Sequence, residues 1–272
     1  MLGKSQIVES LKLADLSNGD TVLVQSNLSL FGRIDGCRKK NEILDLYYSS
    51  LWDVLGAKGT LVVLTAFEDY ARYGVAFHRE KSPSLSGSFS EYVRQIPGAV
   101  RSIHPVLSMT AVGQNASYLC EGNHYEGFGY DSPWGRLHRL DAKIMTLGYG
   151  ITSDGMTFLH YLENLYGVPY QYTKLFDYPV YDNGNIVSGT FTMPVRYLDF
   201  DIDYDQFNFK KYLVDCGAAR LINCGRGKIL STTCSSIVNY GIIFLRTNRY
   251  GLLKKIPNFR RGEIPYDLKK PK

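Results

Sequence analysis

No apolar run in this chain approaches the ~20 residues needed to cross a bilayer. The longest, such as Leu61–Phe67 and Gly241–Leu245, stop far short. The opening M-L-G-K-S-Q lacks the apolar stretch of a secretion signal, so the expected location is the cytoplasm. Paired cysteine spacing is missing too. Cys37, Cys120, Cys216, Cys224 and Cys234 are odd in number and form no C-x-x-C, which favours reduced thiols over disulfides or a zinc site. There is no Pro/Gly/Ser-rich linker, repeat or low-complexity tract inside the chain, so its 272 residues are expected to form one domain. Also absent are G-x-x-x-x-G-K-[ST], a G-x-G-x-x-G after a strand, H-E-x-x-H and G-x-S-x-G. Kinase, dinucleotide oxidoreductase, zinc protease and α/β-hydrolase readings each lose their main support.

Charge is present but unevenly placed. The chain carries +5, yet nine Lys/Arg against two Asp/Glu lie between Arg246 and Lys272, so residues 1–245 are slightly acidic. The basic tail is either a solvated terminal segment or a surface that attracts anions. Basic and aromatic residues do not interleave densely enough to point to nucleic acid.

Hydrophobic periodicity alternates between the two regular structures. Residues 4–15 and Asn41–Leu55 carry helical stripes, the second closed by Gly56. Thr21–Leu28 and Gly59–Phe67 are continuous apolar runs expected to be buried strands. Val106–Gly113 and Lys143–Gly148 add strands, while Ser88–Gln95, Met156–Tyr166 and Ser231–Leu245 are expected helices. Tyr178–Phe200 is rich in Tyr, Thr and Val around an N-G turn at Asn183-Gly184, a hairpin signal. The expected fold is α/β: a single domain with a central mixed sheet flanked by helices.

Three segments join reactive groups to turn residues: Arg101–Ser108, Asp131–Leu137 and Met156–Leu165. The last places His160 and Glu163 three apart on a helix, hence on one face. An imidazole oriented by a carboxylate is suited to accept a proton near neutral pH. Glu163 would either orient the imidazole or hold a substrate ammonium, and a structural histidine or two ligands of a metal site are the competing readings. His104 precedes Pro105 and is expected in extended backbone. His78, His124 and His138 receive no role. C-G-R-G-K (Cys224–Lys228) is either a turn or a basic loop that touches a phosphate.

In order and spacing these segments resemble the aminoglycoside 3-N-acetyltransferase family. The matching words are V-Q-S-N-L-S-L-F-G (Val24–Gly32), the G-T-L strand (Gly59–Leu64), G-S-F-S-E (Gly87–Glu91) and Pro97–Gly113 with its R-S-I-H-P. Ser132-Pro133, the Lys143–Gly148 strand and T-F-L-H-Y-L-E (Thr157–Glu163) follow. The resemblance spans roughly residues 5–245, implying an acyltransferase domain over 1–245 and a basic tail over 246–272. It implies transfer of an acetyl group from acetyl-CoA to an amine of an aminoglycoside or other amino sugar, with no metal. His160 would be the general base and Glu163 its partner, joined by an acid from the L-D-F-D-I-D-Y-D stretch (Asp199, Asp201, Asp203, Asp205), of which Asp203 is chosen. The CoA arm would meet Ser26, Asn27, Leu28, Ser29, Phe31 and Gly32, together with Arg101, Ser102, His104 and Ser108. Glu68, Asp131, Ser132 and Asp201 would face the acceptor.

Two departures stand out. Gln25 replaces the family's histidine, and Asn27 replaces its serine. The basic tail also suits CoA phosphates or a nucleotide-linked amino sugar better than a polycation. Drug acetylation and biosynthetic acylation of an amino sugar therefore both stand, as does a non-catalytic sugar- or CoA-binding homologue. The expected partners are these small molecules, with a homodimer as the candidate assembly.

Overall fold

The computed structural model describes residues 1–153, 155–197 and 200–258. Its centre is a seven-stranded mixed sheet in the order Ala219–Cys224, Gly227–Thr233, Lys143–Gly148, Thr21–Ser26, Thr60–Leu64, Met109–Gly113, Val100–Arg101. The three inner strands Lys143–Gly148, Thr21–Ser26 and Thr60–Leu64 run parallel, and the outer pairs are antiparallel.

The period of two along each strand divides the core in two. Leu23, Val62, Ile144, Met109 and Leu230 face one cluster, packed under the helices Pro133–Arg139, Phe158–Tyr166, Phe207–Asp215 and Cys234–Thr247. Val22, Val24, Leu61, Val63, Met145 and Leu147 face the other, under Lys4–Leu13, Lys40–Leu55 and Ser88–Arg94. Helices thus cover both faces of the sheet. A smaller apolar cluster around Phe67, Tyr70, Phe77 and Phe191 lies below two accessory sheets. One pairs Gln171–Phe176 with Phe191–Arg196, and the other contains Phe77–His78, Val180–Asp182 and Asn185–Ile186.

Several boundaries differ from the sequence expectation. The first strand ends at Ser26, not Leu28, because the Asn27 side chain accepts the Ser29 hydroxyl at 2.5 Å and starts the 3-10 turn Leu28–Phe31. The strand expected over Val106–Gly113 begins at Met109. Ser231–Thr233 belongs to a strand rather than a helix, since that stretch pairs with Lys143–Met145. The helix starts only at Cys234, where Thr233 Oγ1 accepts the Ser236 N–H at 3.1 Å as an N-cap. The N-G hairpin is present but short, joining Val180–Asp182 to Asn185–Ile186 with both turn residues at positive φ. Phe191–Arg196 pairs instead with Gln171–Phe176, a strand the periodicity did not show. Residues beyond 245 continue into the fold: Leu252 and Leu253 are buried in the larger core cluster.

The helix Phe158–Tyr166 packs against Cys234–Thr247 through a glycine. A Cβ on Gly241 would lie 2.3 Å from Leu162 Cδ2, inside the contact distance of two carbons. Gly241→Val is expected to destabilise the protein by about 1–3 kcal/mol. A urea denaturation midpoint indistinguishable from the parent would contradict this packing.

Candidate active site

The carboxyl ends of the parallel strands, where open α/β sheets place their ligands, meet at Ser26 and Gly148. Asn27 N donates to Leu147 O at 2.9 Å, and a Cβ on Gly148 would come within 2.3 Å of Asn27 O. Only glycine, here at φ +96°, permits that approach. From Gly148 the chain crosses to Thr157 and enters the helix Phe158–Tyr166. Gln25 fixes that entry: its Oε1 accepts the Thr157 N–H at 2.8 Å and its Nε2 donates to Thr157 Oγ1 at 2.7 Å. The residue that departs from the family pattern thus ties the strand to the start of the helix.

One turn further on, His160 Nδ1 lies 2.6 Å from Glu163 Oε2. Glu163 is only 1% exposed, whereas the His160 side chain is 28% exposed. A buried carboxylate requires donors, and it has them. Tyr170 Oη–H donates to Oε1 at 2.6 Å, and Gln171 Nε2 donates to Oε2 at 2.8 Å. Gln171 also donates to Tyr204 Oη at 3.1 Å, and the Tyr204 ring packs 4.7 Å from the imidazole. Burial and the Glu163 charge push the Tyr170 and Tyr204 hydroxyls far above the usual phenol range, so both stay protonated, Tyr170 as a donor to the carboxylate and Tyr204 as an acceptor from Gln171. With Nδ1 held by the carboxylate, Nε2 is the nitrogen left for chemistry.

Among the two readings of Glu163, this geometry favours orientation. Its oxygens accept three protein donors within the fold, and the side chain has almost no surface for a substrate ammonium. Tyr170, Gln171 and Tyr204 were not found by sequence reasoning. Tyr204 sits inside the D-Y-D word that drew notice for its acids.

The remaining predicted residues fall into three groups. Ser26, Asn27, Leu28, Ser29, Phe31 and Gly32 form one continuous turn beside Gln25, with Ser29 exposed and Phe31 buried against Tyr47. Arg101, Ser102, His104 and Ser108 are all buried. Arg101 donates to Thr65 O at 2.5 Å, Arg79 O at 3.2 Å, Ser82 O and Ser108 Oγ, pinning the 79–82 loop to the end of the strand Thr60–Leu64. Ser102 Oγ accepts the Met109 N–H, and Ser108 Oγ donates to Thr65 O. In this arrangement the four side chains make hydrogen bonds within the protein and brace the edge of the sheet.

In the third group Glu68, Asp131, Asp201 and Asp203 are exposed, whereas Ser132 is buried. Glu68 pairs with Arg72 at 2.7 Å, and Asp131 faces Arg139 at 3.8 Å. Ser132 is a helix cap, its Oγ accepting the Gly135 N–H at 3.3 Å. Asp201 pairs with Lys255 at 3.5 Å, and Asp203 pairs with Lys254 at 3.1 Å. The D-Y-D stretch therefore reaches His160 through Tyr204, while the Asp203 carboxylate is turned to a lysine. Asp199 lies outside the described residues.

The model of the aminoglycoside 3-N-acetyltransferase family matches residues 23–246. The chain belongs to that family. It is similar to aminoglycoside N(3)-acetyltransferase VII of Streptomyces paromomycinus, at 28% identity over 68% of each chain. Among solved structures it resembles aminoglycoside acetyltransferase AAC(3)-Xa, with a TM-score of 0.76 and 24% identity over 93% of this chain and 94% of that one. It also resembles AAC-IIIb in a binary complex with CoASH, with a TM-score of 0.75 and 20% identity over 90% and 96%. These structural likenesses confirm the α/β fold with its central mixed sheet. No helix among the described residues is long and apolar enough to cross a membrane.

Two other histidines make the fold acid-sensitive. His104 is 1% exposed, with Nδ1 accepting the Leu107 N–H and Nε2 donating to Thr192 O at 3.1 Å. Burial lowers it to about 4. His124, 4% exposed and without a partner on either ring nitrogen among the described residues, is lowered to about 3 by burial and then by His104. Both pKa values are depressed on folding, so the unfolded chain binds protons first as pH falls below ~6.5. Stability is expected to decline from there toward pH 4, by about 3 kcal/mol for His104 alone. His104→Gln should flatten that decline in urea titrations from pH 7 to 4. An unchanged slope would contradict the assignment.

Proposed function

We propose that this chain transfers an acetyl group from acetyl-CoA to an amine of an aminoglycoside or related amino sugar, with His160 as general base. The observation that carries the reading is the 2.6 Å contact between His160 Nδ1 and a Glu163 carboxylate that is buried and saturated by Tyr170 and Gln171. That arrangement fixes the ring through Nδ1 and leaves Nε2 without a hydrogen bond among the described residues. Membership of the family supplies the donor and the acceptor class.

An alkylammonium must lose a proton before its nitrogen can attack a thioester. That first proton leaves to solvent; in this reading His160 Nε2 takes a second proton from the nitrogen as the neutral amine attacks, and the Glu163 charge stabilises the imidazolium across Nδ1–H. The amine nitrogen bonds to the acyl carbon, the tetrahedral oxyanion collapses, and the C–S bond breaks. The proton held on Nε2 then passes to the departing thiolate. Products are the amide and free CoA. Antibiotic resistance follows where the acceptor is a drug.

One observation favours a second acceptor. A groove of about 290 Å³ beside Tyr204 is lined by Arg196, Asp201, Asp203 and Lys255, so its acids already face cations. A polycation gains little there, whereas an anionic amino sugar, such as a nucleotide-linked one, would meet Arg196.

Thiol release from acetyl-CoA, measured with a panel of aminoglycosides and nucleotide-linked amino sugars, tests both. Turnover with one class is expected. His160→Ala should lower kcat/KM by about 10³-fold, and Glu163→Gln by at least about tenfold while the fold is kept. Absence of CoA release with every amine would overturn the reading. Full activity in His160→Ala would remove the general base.

A further inference from the structure

The segment Leu252–Lys255 is placed by its backbone before its charges come into play. Asp205 N donates to Leu252 O at 2.8 Å, Lys254 N donates to Asp203 O at 3.0 Å, and Tyr204 bridges Leu253 antiparallel between them. Leu252 and Leu253 are buried, so this short ladder rests on the core. Its register brings Lys254 Nζ to 3.1 Å from Asp203 Oδ2 and Lys255 Nζ to 3.5 Å from Asp201 Oδ2.

Asp201, Asp203 and Lys255 line the groove of about 290 Å³ together with Arg196. That groove adjoins the base. Arg196 lies 5.3 Å over the Tyr204 ring, which packs 4.7 Å from the His160 ring. Arg196 donates to Ile202 O at 2.6 Å and pairs with no carboxylate among the described residues. Both acids thus face a lysine while one guanidinium is left over, and the groove carries no net negative charge. A polycation entering it must displace two ammonium groups from their carboxylates, an exchange that gains little. Exposed ion pairs contribute little to stability, so the effect of these lysines falls on what binds.

We propose that Lys254 and Lys255 are specificity-determining residues of the acceptor groove. They are built-in counter-ions to Asp203 and Asp201, biasing the groove against polycationic amines and toward acceptors that bring an anionic group to Arg196. The inference rests on the acetyl-CoA reading above and names the charge of its acceptor. It also gives the basic segment after the last helix a role beyond solvation.

The test uses two double variants of the full chain. Lys254→Gln with Lys255→Gln removes both charges, and Lys254→Arg with Lys255→Arg keeps them. The probes are sisomicin, a polycation, and UDP-glucosamine, whose amine accompanies a diphosphate. Calorimetric titration reads their binding without turnover. The Gln pair is expected to tighten sisomicin about tenfold and to weaken UDP-glucosamine, with the Arg pair keeping the parent's preference. High salt should erase the difference, because screening weakens interactions between exposed charges. Sisomicin binding that is equal in the parent and the Gln pair, absent binding to both included, overturns the assignment. So does a gain shared by both probes, one that survives high salt, or one that appears equally in the Arg pair. Thiol release that does not slow in His160→Ala would instead remove the general base, and it would leave the titrations to judge the lysines separately.

Discussion

A carboxylate removed from water is the constraint around which this site is organised. Leaving Glu163 unpaired at 1% exposure would cost several kcal/mol. Its partners therefore come from three parts of the chain: His160 on the same helix, Tyr170 and Gln171 from the start of an accessory strand, and Tyr204 through Gln171. Each partner is held in place by the need to satisfy that one charge. The imidazole consequently has one ring nitrogen fixed and the other available, which is the condition for directed proton transfer.

The rest of the fold delivers this cluster to the correct edge. Parallel pairing brings the ends of Thr21–Ser26 and Lys143–Gly148 together, and Gly148 allows the backbone to pass close to Asn27. Gln25 then anchors Thr157, so the His160 helix starts from the sheet itself. Arg101 secures the neighbouring loop on the other side. The C-terminal segment closes the arrangement: Asp205 N donates to Leu252 O at 2.8 Å and Lys254 N to Asp203 O at 3.0 Å, laying it along the stretch that carries Tyr204.

Much of this was legible in the sequence because the physics involved is local. Continuous apolar runs marked the inner strands, since both sheet faces are covered and most of their side chains are buried. The three-residue spacing of His160 and Glu163 sufficed to place them together. What was illegible depends on long-range pairing. Ser231–Thr233 has no helical or strand signature of its own, and its partner lies some ninety positions away at Lys143–Met145. Arg101 and His104 sit in a word shared with the family, yet their burial follows from loops packed over them, which one-dimensional pattern does not carry. Asp203 drew notice as an acid, while the ring that contacts His160 belongs to its neighbour Tyr204, for which no charge or period gave a signal.

The central claim concerns which imidazole nitrogen is free. Nitrogen-15 NMR of the His160 ring in the intact protein, above the pH at which it is protonated, reads the tautomer directly. A protonated Nδ1, hydrogen-bonded to Glu163, with a bare Nε2 is the predicted state. A ring protonated on Nε2 with a bare Nδ1 would contradict the account.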